Sequence, residues 1–285
     1  MARERSGLLN QLDSKLPEGL LVDAAWLKAQ GYSTQLQHQY VKSGWLQQPT
    51  RSVFHRPPRG RLTWQQVVIS LQTILNYSPL IVGGRTALEL QGYAHYLAQS
   101  TTTVHLYGPK APPSWIQKLP LKVKFTYHND RRLFKNEPVT KGVSSVKWNV
   151  STGEAVDVTG FHGGDLTKLN WGQWDWPLTL STPERAIFEL LDELPNHETF
   201  EQVDALFDGL ANLRPARLEK LLKDCASVKV KRLFLFFADR HKHSWLKRLD
   251  KKSVDLGSGK RMLVKGGVLD PTYKITVPGD LHGVR

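Results

Sequence analysis

Apolar residues recur every three to four positions in some stretches of this chain and alternate with polar ones in others, so the pattern predicts both helices and strands. Leu8, Leu9 and Leu12 predict a first helix over 5–13. Val22 to Gln30 predicts a second, stopped at Gly31, a residue that tolerates the left-handed turn ending many helices. Ser33 can cap a third, which Gly44 ends. In that third helix Leu36 and Tyr40 fall on one side, with Thr34, Gln35, His38 and Lys42 on the opposite side and Val41 at the border. Trp45 to Arg56 reads as two short strands about a Pro49-Thr50-Arg51 turn. Helix, glycine turn, helix and β-ribbon make a winged helix-turn-helix, whose second helix is shaped to enter a DNA major groove.

Beyond Pro57-Pro58-Arg59-Gly60, a stiff break read as the domain boundary, the chain turns to mixed α+β patterning. Residues 63–76 predict a helix capped by Thr63. Short strands follow at 79–82, 102–107 and 121–127, with others at 143–149 and 155–161, and helices at 85–90 and 113–119. Trp171, Trp174 and Trp176 crowd a loop before a strand at 178–180. From 181 the pattern is helical. Ser181-Thr182-Pro183-Glu184 has the form of a capping box with proline in the first turn. Three amphipathic helices and one strongly apolar helix, 228–241, predict a terminal bundle, followed by an extended tail at 253–278. The expected architecture is α+β: a winged helix-turn-helix over 1–60, then a larger domain over 61–285 with an α+β part (61–180) and a mostly helical, basic part (181–285).

Charge sharpens this picture. The 285 residues carry a formal net charge of +13, which favours an anionic partner such as nucleic acid, a membrane surface or an acidic protein. On the helix-turn-helix, Thr34, Gln35, His38 and Lys42 form a polar face without acidic residues, in which Thr and Gln suit base edges and Lys42 suits a phosphate or a guanine, while Arg51 at the ribbon tip and Arg56 beyond it suit phosphates or a minor groove. A second basic surface is expected from Lys229, Lys231, Arg232, Arg240, Lys247, Arg248, Lys260 and Arg261, against the plainer reading of scattered, solvated cations. No window is apolar enough for a membrane span and no apolar run follows the first residues, so the expected place is the cytoplasm. The single cysteine, Cys225, excludes an internal disulfide and reads as a small buried apolar residue.

Enzyme signals are weak. Ile81-Val82-Gly83-Gly84-Arg85 places a glycine turn between strand and helix, as nucleotidyltransferases do to hold a phosphate. Their next strand needs acidic residues for a metal, and here Thr103 to Tyr107 has none, so a packing turn is the better reading. His162-Gly163-Gly164-Asp165 and Asp239 to His243 lack metal-site spacing. No catalytic residue, metal or cofactor is assigned.

The ordered set of a winged helix, Gly83-Gly84-Arg85-Thr86-Ala87-Leu88-Glu89-Leu90-Gln91-Gly92, Ser181 to Ala186, Val228 to Leu235 and Gly257-Ser258-Gly259-Lys260-Arg261 resembles the AbiE-type (AbiEi) antitoxins of type IV toxin–antitoxin systems. The resemblance covers nearly the whole chain. Where the family's wing carries Arg-Gly-Val-Tyr or similar, this chain has Arg51-Ser52-Val53-Phe54. The resemblance implies a regulator that binds inverted repeats in its own promoter and represses it. Its larger domain would neutralise a nucleotidyltransferase-like toxin linked to abortive phage infection, without requiring a tight complex. Two other readings stay open on the residues alone: a nucleotidyltransferase-like enzyme acting on RNA, and a non-specific nucleic-acid binder.

Overall fold

A computed structural model describes residues 2–57, 60–77, 79–93, 101–138, 148–149, 154–155 and 164–282. Helix α1 (Ala2–Lys15) is followed by strand β1 (Leu21–Asp23), helices α2 (Ala24–Ala29) and α3 (Thr34–Lys42), and the hairpin of β2 (Gln47–Thr50) and β3 (Val53–His55). Strand β1 pairs antiparallel with β3, Val22 opposite Phe54, so the hairpin is tied to the chain that precedes the two helices. The glycines and caps act as expected. Gly31 and Gly44 sit at φ +90 and +79, and Ser33 Oγ accepts the Leu36 N–H.

Helix α4 (Trp64–Thr73) joins this head to the rest of the molecule. Its Ser70 Oγ accepts the Leu21 N–H of β1 at 2.8 Å. Two residues on, the Gln72 amide donates to the carbonyls of Leu80 and Thr179 and accepts the Thr179 N–H. The apolar core runs unbroken from Leu12 through Val67 and Leu178 to Leu281. The core continues past the expected boundary at Pro57, because one largely buried helix packs on both sides of it.

The body holds β4 (Ile81–Val82), α5 (Gly84–Leu90), β5 (Thr103–Gly108), β6 (Lys124–Asn129), β7 (Trp148–Asn149), β8 (Glu154–Ala155), β9 (Leu166–Trp171) and β10 (Trp176–Ser181). Among the described residues these form a mixed five-stranded sheet in the order β6-β5-β4-β10-β9, and a separate pair, β7 with β8. Strands β5 and β6 run parallel, as do β4 and β10, while β9 and β10 form a hairpin. The three tryptophans read from sequence as a loop bracket that hairpin. Trp171 and Trp176 are cross-strand partners with stacked rings 6.2 Å apart, and Trp174 lies exposed in the turn. The strands expected at 143–149 and 155–161 fall largely outside the described residues; 148–149 and 155 lie in the β7–β8 pair.

Helices α6 (Pro183–Asp192), α7 (Phe200–Asp208), α8 (Pro215–Asp224) and α9 (Val228–His241) make the expected bundle. Every residue of α9 from Val230 to Ala238 is buried, and Phe234 stacks on Phe188 at 4.7 Å while Phe237 stacks on Phe207 at 5.0 Å. The capping box expected at Ser181–Glu184 does not form. Thr182 caps α6 but its hydroxyl donates to the Asp165 carbonyl, and Glu184 accepts the Arg214 N–H and Arg217 instead. Partners distant in sequence outbid the local ones. The tail forms short β11 (Val268–Leu269) and β12 (Thr276–Val277), then α10 (Gly279–His282), so much of it is irregular rather than extended. Cys225 is buried and its thiol is pushed up to about 11 by that burial, as an inert packing residue should be.

Candidate nucleic-acid interface

The head presents α3 on a rigid seat. Tyr40 is buried and Leu36 half-buried against the core, as the helical spacing predicts, and Val41 sits half-buried at the edge. Gln37, a polar residue on the inner side, is buried too. Its Nε2 donates to the Tyr32 carbonyl at 2.8 Å, which fixes the turn from α2 into α3. Asp23 caps α2 through the Trp26 N–H at 2.7 Å. Together these bonds set the angle at which α3 meets solvent.

On its outer side Thr34, His38 and Lys42 follow one another at intervals of four, and all three are exposed. Gln35 lies beside them with Gln39, a residue the sequence reading passed over although its four-residue spacing from Gln35 places it there. Trp45, expected to open the first strand of the ribbon, lies just before β2 and is half exposed. Arg51 is exposed at the β2–β3 tip. Neither Lys42 nor Arg51 forms an ion pair with another described residue. The next residue, Ser52, sits at φ +62, so serine holds the tip turn in a left-handed conformation that costs it roughly 1 kcal/mol. The Ser52 carbonyl accepts the Ala24 N–H at 2.9 Å and locks the tip to the start of α2.

Arg56 does something else. Its guanidinium donates to the carbonyls of Asp13 and Leu16 and pairs with the Asp13 carboxylate at 2.5 Å. The last carbonyls of a helix lack internal partners, and a cation there is favoured. Arg56 therefore braces the end of α1 against β3, and its guanidinium is engaged within the chain rather than held out toward the phosphates or minor groove expected for it.

The second basic surface divides in the same way. Arg232 is fully buried, and its guanidinium donates to the carbonyls of Leu256, Gly257, Ser258, Gly259 and Lys274. It organises the Gly257-Ser258-Gly259 loop from inside. Lys231 is buried, Lys229 caps the end of α6 through the carbonyls of Asp192 and Leu194, and Arg240 pairs with Asp204 at 2.8 Å. Lys247, Arg248, Lys260 and Arg261 are exposed. Four of the eight expected surface cations are thus internal or tied down; Lys229 and Arg232 are held by carbonyls at a helix end and a tight loop, and Arg240 by a carboxylate from α7, partners that sequence spacing does not reveal.

The glycine turn before α5 is already filled. Gly84 N–H donates to Glu189 Oε2 at 2.9 Å, and a side chain at Gly83 would run into Glu189 and Tyr107. Glu189 is completely buried. Burial pushes its carboxyl up, against the pull of Arg185, the Gly84 N–H and the Ser181 hydroxyl. Arg185 passes on to Asp130 at 3.1 Å and lies over the Phe134 ring. A carboxylate occupies the place a phosphate would take, so this turn is a packing device, as its sequence suggested. Nearby, His105 Nδ1 lies 3.1 Å from His128 Nε2, and His128 Nδ1 lies 3.0 Å from Glu193. Burial first, and then His128, lower His105 to about 4. Among the described residues no group of three or more His, Cys, Asp or Glu could hold a metal, and no helix is long and apolar enough to cross a membrane.

Comparison with known proteins agrees with this layout. The chain matches the fold of the crystallised RV2827C protein from Mycobacterium tuberculosis with a TM-score of 0.53 at 15% identity, over 96% of this chain and 89% of that one. No curated protein matches it. Residues 5–99 match a family model described as a transcriptional regulator, AbiEi antitoxin N-terminal domain. Residues 165–278 match one described as a transcriptional regulator, AbiEi antitoxin, of type IV toxin–antitoxin systems. The N-terminal match runs through α4 and α5, past the break at Pro57, as the shared core does. With both models matched in order over most of its length, the chain belongs to the AbiEi family of antitoxin transcriptional regulators of type IV toxin–antitoxin systems.

Proposed function

We propose that the head is a winged helix-turn-helix that reads double-stranded DNA. Helix α3 enters the major groove, Thr34, Gln35 and His38 meet base edges, and Lys42 and Arg51 meet phosphates. The observation that carries this reading is the outer face of α3. It is polar, exposed and without acidic residues, on a helix whose inner face is locked by Gln37 and Tyr40. Family membership supports the wider role: repression of its own operon through inverted repeats, and neutralisation of a cognate nucleotidyltransferase-like toxin in phage defence. The filled glycine turn favours this over an RNA-modifying enzyme.

The test is a gel-shift titration against the DNA upstream of the gene at about 150 mM salt, where purely electrostatic binding is already weakened. A shift that survives scrambled competitor of equal length is expected. A shift removed equally by the scrambled duplex would reduce the protein to a non-specific binder acting through Lys247, Arg248, Lys260 and Arg261. Co-expression with the neighbouring toxin gene tests the second half, with growth restored by this chain as the expected result.

A further inference from the structure

A groove of about 990 Å³ opens where the head meets the body. Four segments line it: the end of α3 with the turn after it (Val41, Gly44, Leu46), the β2 strand (Gln47–Pro49) with His55 of β3, the stretch from Gly60 to Gln65, and the Pro120–Val123 stretch leading into β6. Its volume lies at the upper end of the range for small-molecule sites. Most of its lining is apolar, from Val41, Leu46, Leu62, Trp64, Leu121 and Val123.

Its charge is one-sided. Among the described residues, Arg61 and Lys122 are the ionised side chains at the lining, both exposed, and no Asp or Glu lines the groove. Neither cation forms an ion pair with another described residue. His55 adds no charge: its Nδ1 bonds the Arg56 carbonyl at 2.8 Å, and burial lowers its pKa, so it stays neutral. An apolar trough with two unneutralised cations at its lining suits a ligand with an apolar body and one anionic group. The chain's net charge of +13 disfavours a second copy as occupant.

We propose that this groove binds a small amphipathic anion, an aromatic or aliphatic body bearing a carboxylate or sulfonate, and that its occupancy changes the affinity of the head for DNA. The position supplies the coupling. Val41 directly precedes Lys42 on α3, and Gln47 to Pro49 belong to the strand leading to Arg51, so an occupant touching these residues and Leu121 fixes the reading face relative to the body. Binding free energies so coupled are reciprocal: whatever the anion does to DNA affinity, DNA does to the anion. The coupling half rests on the DNA-reading proposal above; the binding half does not.

The full chain is titrated with 8-anilinonaphthalene-1-sulfonate, read by fluorescence, with near-UV circular dichroism to verify native packing. The expected result is one saturable site, competed by decanoate, whose Kd rises tenfold or more in the Arg61→Glu/Lys122→Glu variant. The uncharged probe N-phenyl-1-naphthylamine should bind with a Kd that the charge reversal leaves unchanged. Binding of the sulfonate probe that is non-saturable, or equal in variant and wild type, overturns the site. The DNA arm repeats the upstream-DNA titration with and without decanoate. A several-fold change in Kd in wild type but not in the variant is expected, and an unchanged Kd with the site occupied overturns the coupling. Specific DNA binding failing outright while the probe still binds would instead count against the DNA reading.

Discussion

The head and the segment from Val228 to Lys265 are both rich in cations, yet they spend them differently. In the head, Lys42 and Arg51 project into solvent without a described ion-pair partner, on a surface held in place by other residues. In the C-terminal segment, Arg232 holds five carbonyls of neighbouring loops and Lys229 closes a helix end. A cation is available to a partner only where the fold offers it no acceptor. Buried carbonyls must be paired, so they take the nearest guanidinium or ammonium first.

The largest expected effect tests that difference directly. Arg232→Met should destabilise the fold by roughly 3–5 kcal/mol, since several buried carbonyls lose their donor at once. Urea denaturation measures it, and a loss under 1 kcal/mol would mean that the loop at 257–259 is organised some other way. Histidines sharpen the same contrast. His105 is buried and held near 4, whereas the unfolded chain's histidine titrates near its ordinary 6.5. Between these values the unfolded state takes up a proton that the fold refuses, so stability is full above about pH 6.5 and falls as pH drops toward 4. The loss should be about 2.5 kcal/mol by pH 4.5. His105→Gln should flatten that slope, as read from denaturation midpoints at pH 7, 5.5 and 4.5.

Smaller effects concern the head. Lys42→Ala should weaken binding to upstream DNA by about 1–3 kcal/mol if Lys42 meets a base, or reduce the salt slope by about one if it meets a phosphate. Stability should stay within about 0.5 kcal/mol of wild type, as for other exposed sites. A variant with unchanged affinity and slope removes Lys42 from the interface. The smallest change is Ser52→Gly. It relieves the left-handed strain at the hairpin tip at some cost in unfolded-chain entropy, for a net gain of about 0.5 kcal/mol in thermal denaturation.

Much of the head was legible from the sequence, because its signals are local. Gly31, Ser33 and Gly44 set the limits of α3, and a four-residue repeat within one helix sorts Thr34 and His38 from Tyr40. The same logic located α6 to α9. Gln37 and Trp45 went against type, a polar residue buried and an aromatic exposed; Gln37 is buried because the Tyr32 carbonyl takes its amide, and nothing in the structure explains the exposure of Trp45.

By itself, then, the sequence determined the α+β order of elements, the polar face of α3 and the cationic excess, all of which follow from backbone periodicity and composition. Only the tertiary structure decided that Arg56 and Arg232 are braces, that Glu184 serves Arg214 rather than its own helix start, and that Glu189 fills the glycine turn. It also decided that α4 fuses head and body into one core, with a groove at their junction. The physical reason is common to all of these. Each depends on a hydrogen-bond acceptor or apolar surface brought in from more than twenty positions away, and no local pattern encodes where a distant carbonyl will come to rest.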